Sequence, residues 1–256
     1  MCILQKKILL RYFIRISFLG KKYCGWQIQP GQISVQETIE RCICNLIKEK
    51  INIVGAGRTD AGVHATSMYA HFDTENTIQI KDFIKKINLY LPVDISVIDL
   101  FNVKEKSHAR FDATSRTYKY FITKNKDPFK IDQSFLCKYD LDLKLMKKAA
   151  KILLKFDDFE SFSKSKTDVK TFICKVNYAE FTQDKEMIIF EINANRFLRN
   201  MVRAIVGTLI EVGRKKISVK DFEEIILKKN RSSAGFSAPA KGLFLSDISY
   251  NWGKLK

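Results

Sequence analysis

Eleven residues, Gly55-Ala56-Gly57-Arg58-Thr59-Asp60-Ala61-Gly62-Val63-His64-Ala65, constrain this chain more than any other stretch. They follow an apolar run, Ile51 to Val54, that reads as a strand, and they precede a second strand through Ser67 to Phe72. Three glycines in so short a span rule out a helix core; they permit φ > 0 and let another backbone come close. The segment therefore reads as a loop that presents one carboxylate, Asp60. Arg58, two residues away, is placed to hold that carboxylate ionised and aimed. The loop is not a dinucleotide fingerprint, because Asp stands at position 60 where that pattern needs Gly. It is not a Walker A loop, because no Gly-Lys-Ser/Thr follows.

Charge limits the partner. The chain has 256 residues, with 45 Lys plus Arg against 28 Asp plus Glu, a net charge of +17. No block of five or six consecutive basic residues occurs, so the charge belongs to a folded surface and not to a tail. A polyanion is the expected partner, nucleic acid first and an acidic membrane surface second. An apolar content of 46% supports a folded core. The six cysteines, Cys2, Cys24, Cys42, Cys44, Cys137 and Cys174, contain no C-x-x-C pair, and His64, His71 and His108 lack the spacing of a zinc helix. No metal and no disulfide framework are expected, and a reducing cytoplasm is the default. Met1 to Leu10 is too short and too interrupted by Lys6 and Lys7 for a signal peptide. No stretch approaches the ~20 apolar residues of a membrane span.

Periodicity gives the organisation. Arg11 to Phe18 alternates as a strand, with Tyr12, Ile14, Ile16 and Phe18 on one face. Ser34-Val35-Gln36-Glu37 is a capping box that opens a helix striped by Val35, Ile39, Cys42, Ile43, Leu46 and Ile47. A helix over Lys81 to Leu91 and a strand over Ile95 to Val103 complete a β-α-β-β-α-β order. The second half reads similarly. Strands fall at Thr117–Thr123, Thr171–Phe181, Met187–Ala194 and Leu243–Tyr250. Helices fall at Leu143–Leu154, Phe197–Val212 (stopped by Gly213) and Ser218–Lys229. An α+β class with two ferredoxin-like halves, 1–107 and 108–256, is expected.

The residues resemble a known family. Gly57 to Ala65 is similar to the catalytic loop of tRNA pseudouridine synthase A. Gly25-Trp26-Gln27, Arg116-Thr117-Tyr118-Lys119-Tyr120, Met201 to Gly207 and Ala238 to Leu243 match that family in the same order. Lys119 stands where many members have Arg, which keeps the charge. The resemblance implies a pseudouridine-synthase fold with a central antiparallel sheet. It implies isomerisation of uridine to pseudouridine in the tRNA anticodon arm, at about positions 38 to 40, without cofactor, by a cytoplasmic homodimer. Asp60 takes the role of nucleophile, at either ribose C1′ or uracil C6. Arg203 becomes its ionic partner, and Arg58 supports the flipped nucleotide. Tyr118 stacks on the extruded base, as base flipping requires. Leu243, by resemblance, and Val63, by its place in the loop, wall the uracil.

Two residues stay open at this level. His64 reads as a loop histidine bonded to backbone before it reads as a base. Trp26 is equally an RNA contact or a packing residue. A noncatalytic RNA-binding module is the competing function, but it has no need of a buried carboxylate near phosphate.

Overall fold

The computed structural model describes residues 9–165 and 169–256. Residues 1–8, part of the stretch read above for a leader, lie outside it. The chain divides into two compact units, Met1–Thr114 with Ile248–Lys256, and Ser115–Asp247.

The first unit carries β1 (Leu10–Phe18), α1 (Val35–Ile47), β2 (Val54–Gly55), β3 (His64–Thr74), α2 (Ile80–Tyr90) and β4 (Ile95–Val103). Its strands lie in the order β4-β1-β3, antiparallel throughout, with β2 paired to β3. Tyr12, Ile14, Ile16 and Phe18 are buried as the alternation requires. Phe13, on the other face, is also fully buried, because Phe101, Tyr250 and Trp252 pack their rings within 6.3 Å of it. Trp252 belongs to the terminal helix α6 (Trp252–Leu255). Both faces of β1 are thus covered.

Local chemistry departs from the sequence reading at two points here. Ser34 Oγ accepts the N–H of Glu37 at 3.2 Å, but the returning half of the capping box is not made among the described residues, and Glu37 is exposed. Ile51 to Val54 is not a four-residue strand. Ile51 and Ile53 are buried, yet their N–H groups donate to Cys44 Sγ at 3.2 Å and Glu40 Oε1 at 2.7 Å. Side chains of α1 take the bonds that a ladder would have taken.

The second unit carries β5 (Ala113–Thr123, mostly in this unit), β6 (Phe135–Leu136), α3 (Leu143–Ile152), β7 (Val176–Asp184), β8 (Met187–Ala194), α4 (Met201–Gly213) and α5 (Val219–Leu227). Its strand order is β5-β8-β7, antiparallel, with β6 running parallel to β5. Strand β9 (Leu243–Tyr250) begins in this unit and ends in the first. At α5 the full capping box forms, with Ser218 and Asp221 bonding reciprocally.

Several boundaries move: β5 starts at Ala113 and not Thr117, α3 ends at Ile152 and not Leu154, and α5 spans Val219–Leu227 and not Ser218–Lys229, while three others have a local cause. Strand β7 starts at Val176 and not at Thr171, because Cys174 and Lys175 donate to Asp157 O and Asn195 Oδ1, both at 2.8 Å, outside any ladder. Helix α4 starts at Met201 and not at Phe197, because Asn200 sits at φ 68°, a left-handed conformation that Asn tolerates and a helix does not. Gly213 does not stop α4 but is its last residue. The left-handed position is Lys215, φ 59°. The N–H groups of Lys215 and Lys216 return to Val212 O and Glu211 O, a Schellman ending. Gly213 has a different reason to be glycine: a Cβ there would overlap Met146 of α3. No helix among the described residues is long and apolar enough to cross a membrane.

Candidate active site

The residues singled out by sequence fall into two sets of three: Arg58, Asp60 and Val63 in the first unit, and Tyr118, Arg203 and Leu243 in the second.

The glycine-rich segment is a turn fused to a strand. Asp60 O accepts the N–H of Val63 at 3.1 Å, with Gly62 at φ 78° between them. Only glycine holds that angle without strain, which is why the turn carries one. Strand β3 then begins at His64, so the last two residues of the motif are already sheet. Asp60 is half-buried. Val63 is buried at 2% exposure. Arg58 is exposed and makes no hydrogen bond or ion pair among the described residues.

A second segment, residues 20–26, holds this loop along its length. Gly20 N–H donates to His64 Nδ1 at 2.9 Å. Gly62 N–H donates to Tyr23 O at 3.4 Å, and Trp26 N–H donates to Thr59 O at 3.3 Å. Gly25, at φ 111°, presses its backbone on the Thr59 carbonyl, where a Cβ would overlap the oxygen. Trp26 is 2% exposed, lies over Gly55, and has its ring 6.3 Å from that of Phe18. Tyr23 anchors the segment from below, its hydroxyl donating to Asp94 Oδ1 at 2.7 Å. Burial first, and Asp94 second, push the Tyr23 pKa well up, so it stays a donor.

These contacts settle both open residues. His64 is fully buried and accepts a backbone N–H through Nδ1, so a ring proton sits at Nε2. Trp26 is a packing residue. What sequence reasoning missed is the purpose of Gly20 and Gly25. Their signal was the coincidence of two glycines with an aromatic in one basic loop. Thr59 Oγ1 was missed too: it is buried beside Asp60 without a hydrogen-bond partner among the described residues.

In the second unit, β5 presents Tyr118 half-buried, with the Phe197 ring edge-on at 5.1 Å. Two residues on, Tyr120 is fully buried, and its hydroxyl donates to Pro239 O at 2.9 Å. Burial pushes its pKa far up. Arg203, on α4, exchanges two hydrogen bonds with one residue. Its Nε donates to Ala238 O at 2.7 Å, and Ala238 N–H donates to Arg203 O at 2.9 Å. The charge that sequence placed beside an apolar stripe is therefore half-buried and donates to a carbonyl.

The strap from Ala234 to Pro239 is fixed to α4 along several turns. Gly207 lies so close to Phe236 O that a Cβ would overlap it, Gly235 N–H donates to Thr208 Oγ1 at 2.9 Å, and Asn200 Nδ2 donates to Ser237 Oγ at 2.8 Å. The strap delivers Leu243, buried at 5%, at the start of β9. Lys119, the departure from the family pattern, pairs with Glu191 at 3.3 Å on the surface.

The first unit carries a carboxylate on a fixed turn with an exposed guanidinium two residues before it, and the second carries a half-buried guanidinium and an aromatic ring. Residues 149–251 match the family model described as tRNA pseudouridine synthase. The chain is 51% identical to the tRNA pseudouridine synthase A of Bacteroides fragilis, over 94% of this chain and 96% of the relative. It is 48% identical to that of Azobacteroides pseudotrichonymphae, over 94% and 98%. It is 40% identical to that of Bacillus licheniformis, over 92% and 97%. The chain belongs to the tRNA pseudouridine synthase A family.

Proposed function

We propose that this protein isomerises uridine to pseudouridine in the anticodon arm of tRNA, at about positions 38 to 40, with Asp60 as nucleophile. The observation that carries the reading is the pinning of the Asp60 turn. Four separate interactions, from Gly20, Tyr23, Gly25 and Trp26, hold a nine-residue stretch that matches the family loop. Such preorganisation is what a covalent carboxylate catalyst requires.

Asp60 attacks the target nucleotide, at ribose C1′ or uracil C6, and the base is detached, rotated and rejoined through C5. The C5 hydrogen then leaves. Arg203 is the ionic partner that the family resemblance gives to Asp60. Arg58, exposed and uncommitted, grips the backbone or ribose of the flipped nucleotide. Tyr118 stacks on the extruded base, which offsets unstacking by ~1–3 kcal/mol. Leu243 and Val63 contact the uracil. No cofactor takes part. The order β4-β1-β3 with β2, and the order β5-β8-β7, support ferredoxin-like halves. A homodimer in the cytoplasm completes the reading.

The test is tritium release from tRNA carrying C5-labelled uridine. Wild type releases label, whereas Asp60→Asn binds the tRNA and does not turn over. Binding without release by wild type would leave an RNA-binding module instead. Release that persists in Asp60→Asn would move the nucleophile elsewhere.

A further inference from the structure

Phe111 is 75% exposed, yet the turn that carries it is held by its own hydrogen bonds. His108 Nδ1 accepts both the Arg110 N–H at 3.1 Å and the Phe111 N–H at 3.3 Å. Asp112 closes the turn: its Oδ2 accepts the His108 N–H at 2.6 Å, and its own N–H donates to His108 O at 3.1 Å. Below, Ala109 is held between His71 Nδ1, which accepts its N–H at 3.1 Å, and the Tyr250 hydroxyl, which donates to its carbonyl at 2.6 Å. The His108 ring lies 4.3 Å from that of Phe111 at a 35° tilt, backing one side of it. The Arg110 guanidinium stands 5.6 Å from the Phe111 ring centre.

An exposed apolar ring costs hydration free energy, and a rigid turn removes the freedom that would let it fold back. A site built to hold such a ring outward is built to meet something. The chemistry beside it selects the partner. Arg110, Lys104 and Lys106 are exposed cations on this segment against one exposed carboxylate, Glu105; Lys104 Nζ also donates to Lys254 O at 2.9 Å, and Asp112 is committed to the turn. An aromatic face backed by a second ring, with a guanidinium alongside, fits a base and its phosphate. An apolar protein surface would gain nothing from these cations.

We propose that Phe111 and Arg110 form a further RNA contact, in which Phe111 stacks on an unpaired base of the substrate and Arg110 pairs with the adjoining phosphate. This rests on the reading of the substrate as tRNA. It adds to the six site residues a contact that contributes affinity and positioning, not bond making.

Binding of an unmodified tRNA transcript to the full chain, followed by fluorescence anisotropy over a salt series, tests it. Phe111→Ala raises Kd by about 5- to 100-fold, the range that one stacked base supplies. Phe111→Trp stays within about twofold of wild type, because the stacking face is kept. Arg110→Gln flattens the log Kd against log salt slope by about one. Sedimentation of the same variants shows an unchanged oligomeric state. If Phe111→Ala binds tRNA as tightly as wild type, the proposal is wrong. It is equally wrong if the variant's only change is in oligomeric state, which would make this face a contact between copies. Should wild type and Asp60→Asn both fail to bind tRNA, the functional reading falls and takes this contact with it. Tight binding by both, with Phe111→Ala indifferent, removes this contact alone.

Discussion

The backbone of Gly25 lies against the carbonyl of Thr59, at φ 111°, so that the residue before Asp60 is fixed by a residue 34 positions earlier. Any side chain at position 25 meets two penalties at once, a left-handed backbone angle and an overlap with that oxygen. Gly25→Ala is expected to cost about 1–3 kcal/mol of stability in chemical unfolding. The larger effect is expected in turnover, because the shift is delivered to the Asp60 turn. Tritium release should fall by more than tRNA affinity does. An alanine variant with wild-type turnover would show that the Asp60 turn does not depend on this contact.

Arg203 and Ala238 exchange two hydrogen bonds, which aims the guanidinium through a planar Nε. Lysine at 203 would keep the charge but lose the fixed fork. Arg203→Lys is expected to lose turnover by roughly tenfold or more, in line with the 1.5–3 kcal/mol of a charged hydrogen bond. Single-turnover rates with saturating enzyme measure this directly. Full activity in the lysine variant would mean that charge alone matters at this position.

Tyr118 offers a ring whose neighbour is the edge of Phe197 at 5.1 Å. If the ring stacks on the base, Tyr118→Phe should bind tRNA within about twofold of wild type, and Tyr118→Leu should bind at least about fivefold more weakly. A leucine variant as active as wild type would remove stacking from the role of Tyr118. Slow label release in Tyr118→Phe, with binding intact, would assign the hydroxyl to proton movement at C5.

Acid should weaken the first unit through His71. This residue is 4% exposed, and its pKa is lowered to about 4, by burial first and by Arg11 second. His108 also lowers it, while Asp73 and Asp112 oppose the shift. The unfolded histidine titrates near 6.5, so between about pH 6.5 and 4 the unfolded chain binds the proton and the folded chain does not. Stability is therefore full above pH 6.5 and falls as pH drops through that window, by at most ~3 kcal/mol. Urea unfolding of wild type and His71→Gln at pH 7.5 and 5.0 checks the sign. An equal pH dependence in both proteins would exonerate His71.

Much of the architecture was legible because periodicity is a local property. The strand Ile95–Val103, the strand Met187–Ala194 and the strand Leu243–Tyr250 have the limits that alternation and turn residues imply. The apolar stripe of α1 buries Val35, Ile39, Cys42 and Ile43 as its 3.6-residue spacing requires. The misread segments share one cause. At Ile51–Ile53, Thr171–Lys175 and Phe197–Asn200 the pattern fits a regular element, but hydrogen-bond partners distant in sequence, or a left-handed Asn, take the backbone elsewhere.

By itself the sequence determined most element types and the family motifs, since each is written in neighbouring residues. Only tertiary structure decided what the supporting residues are for. Gly20 and Gly25 are glycine because another backbone occupies the place of their side chains, and Gly213 because Met146 does. Trp26 is buried and not offered to RNA, His64 accepts a backbone N–H, and Phe111 is held outward. Close approach and burial depend on residues far apart in the chain, and no local pattern encodes them.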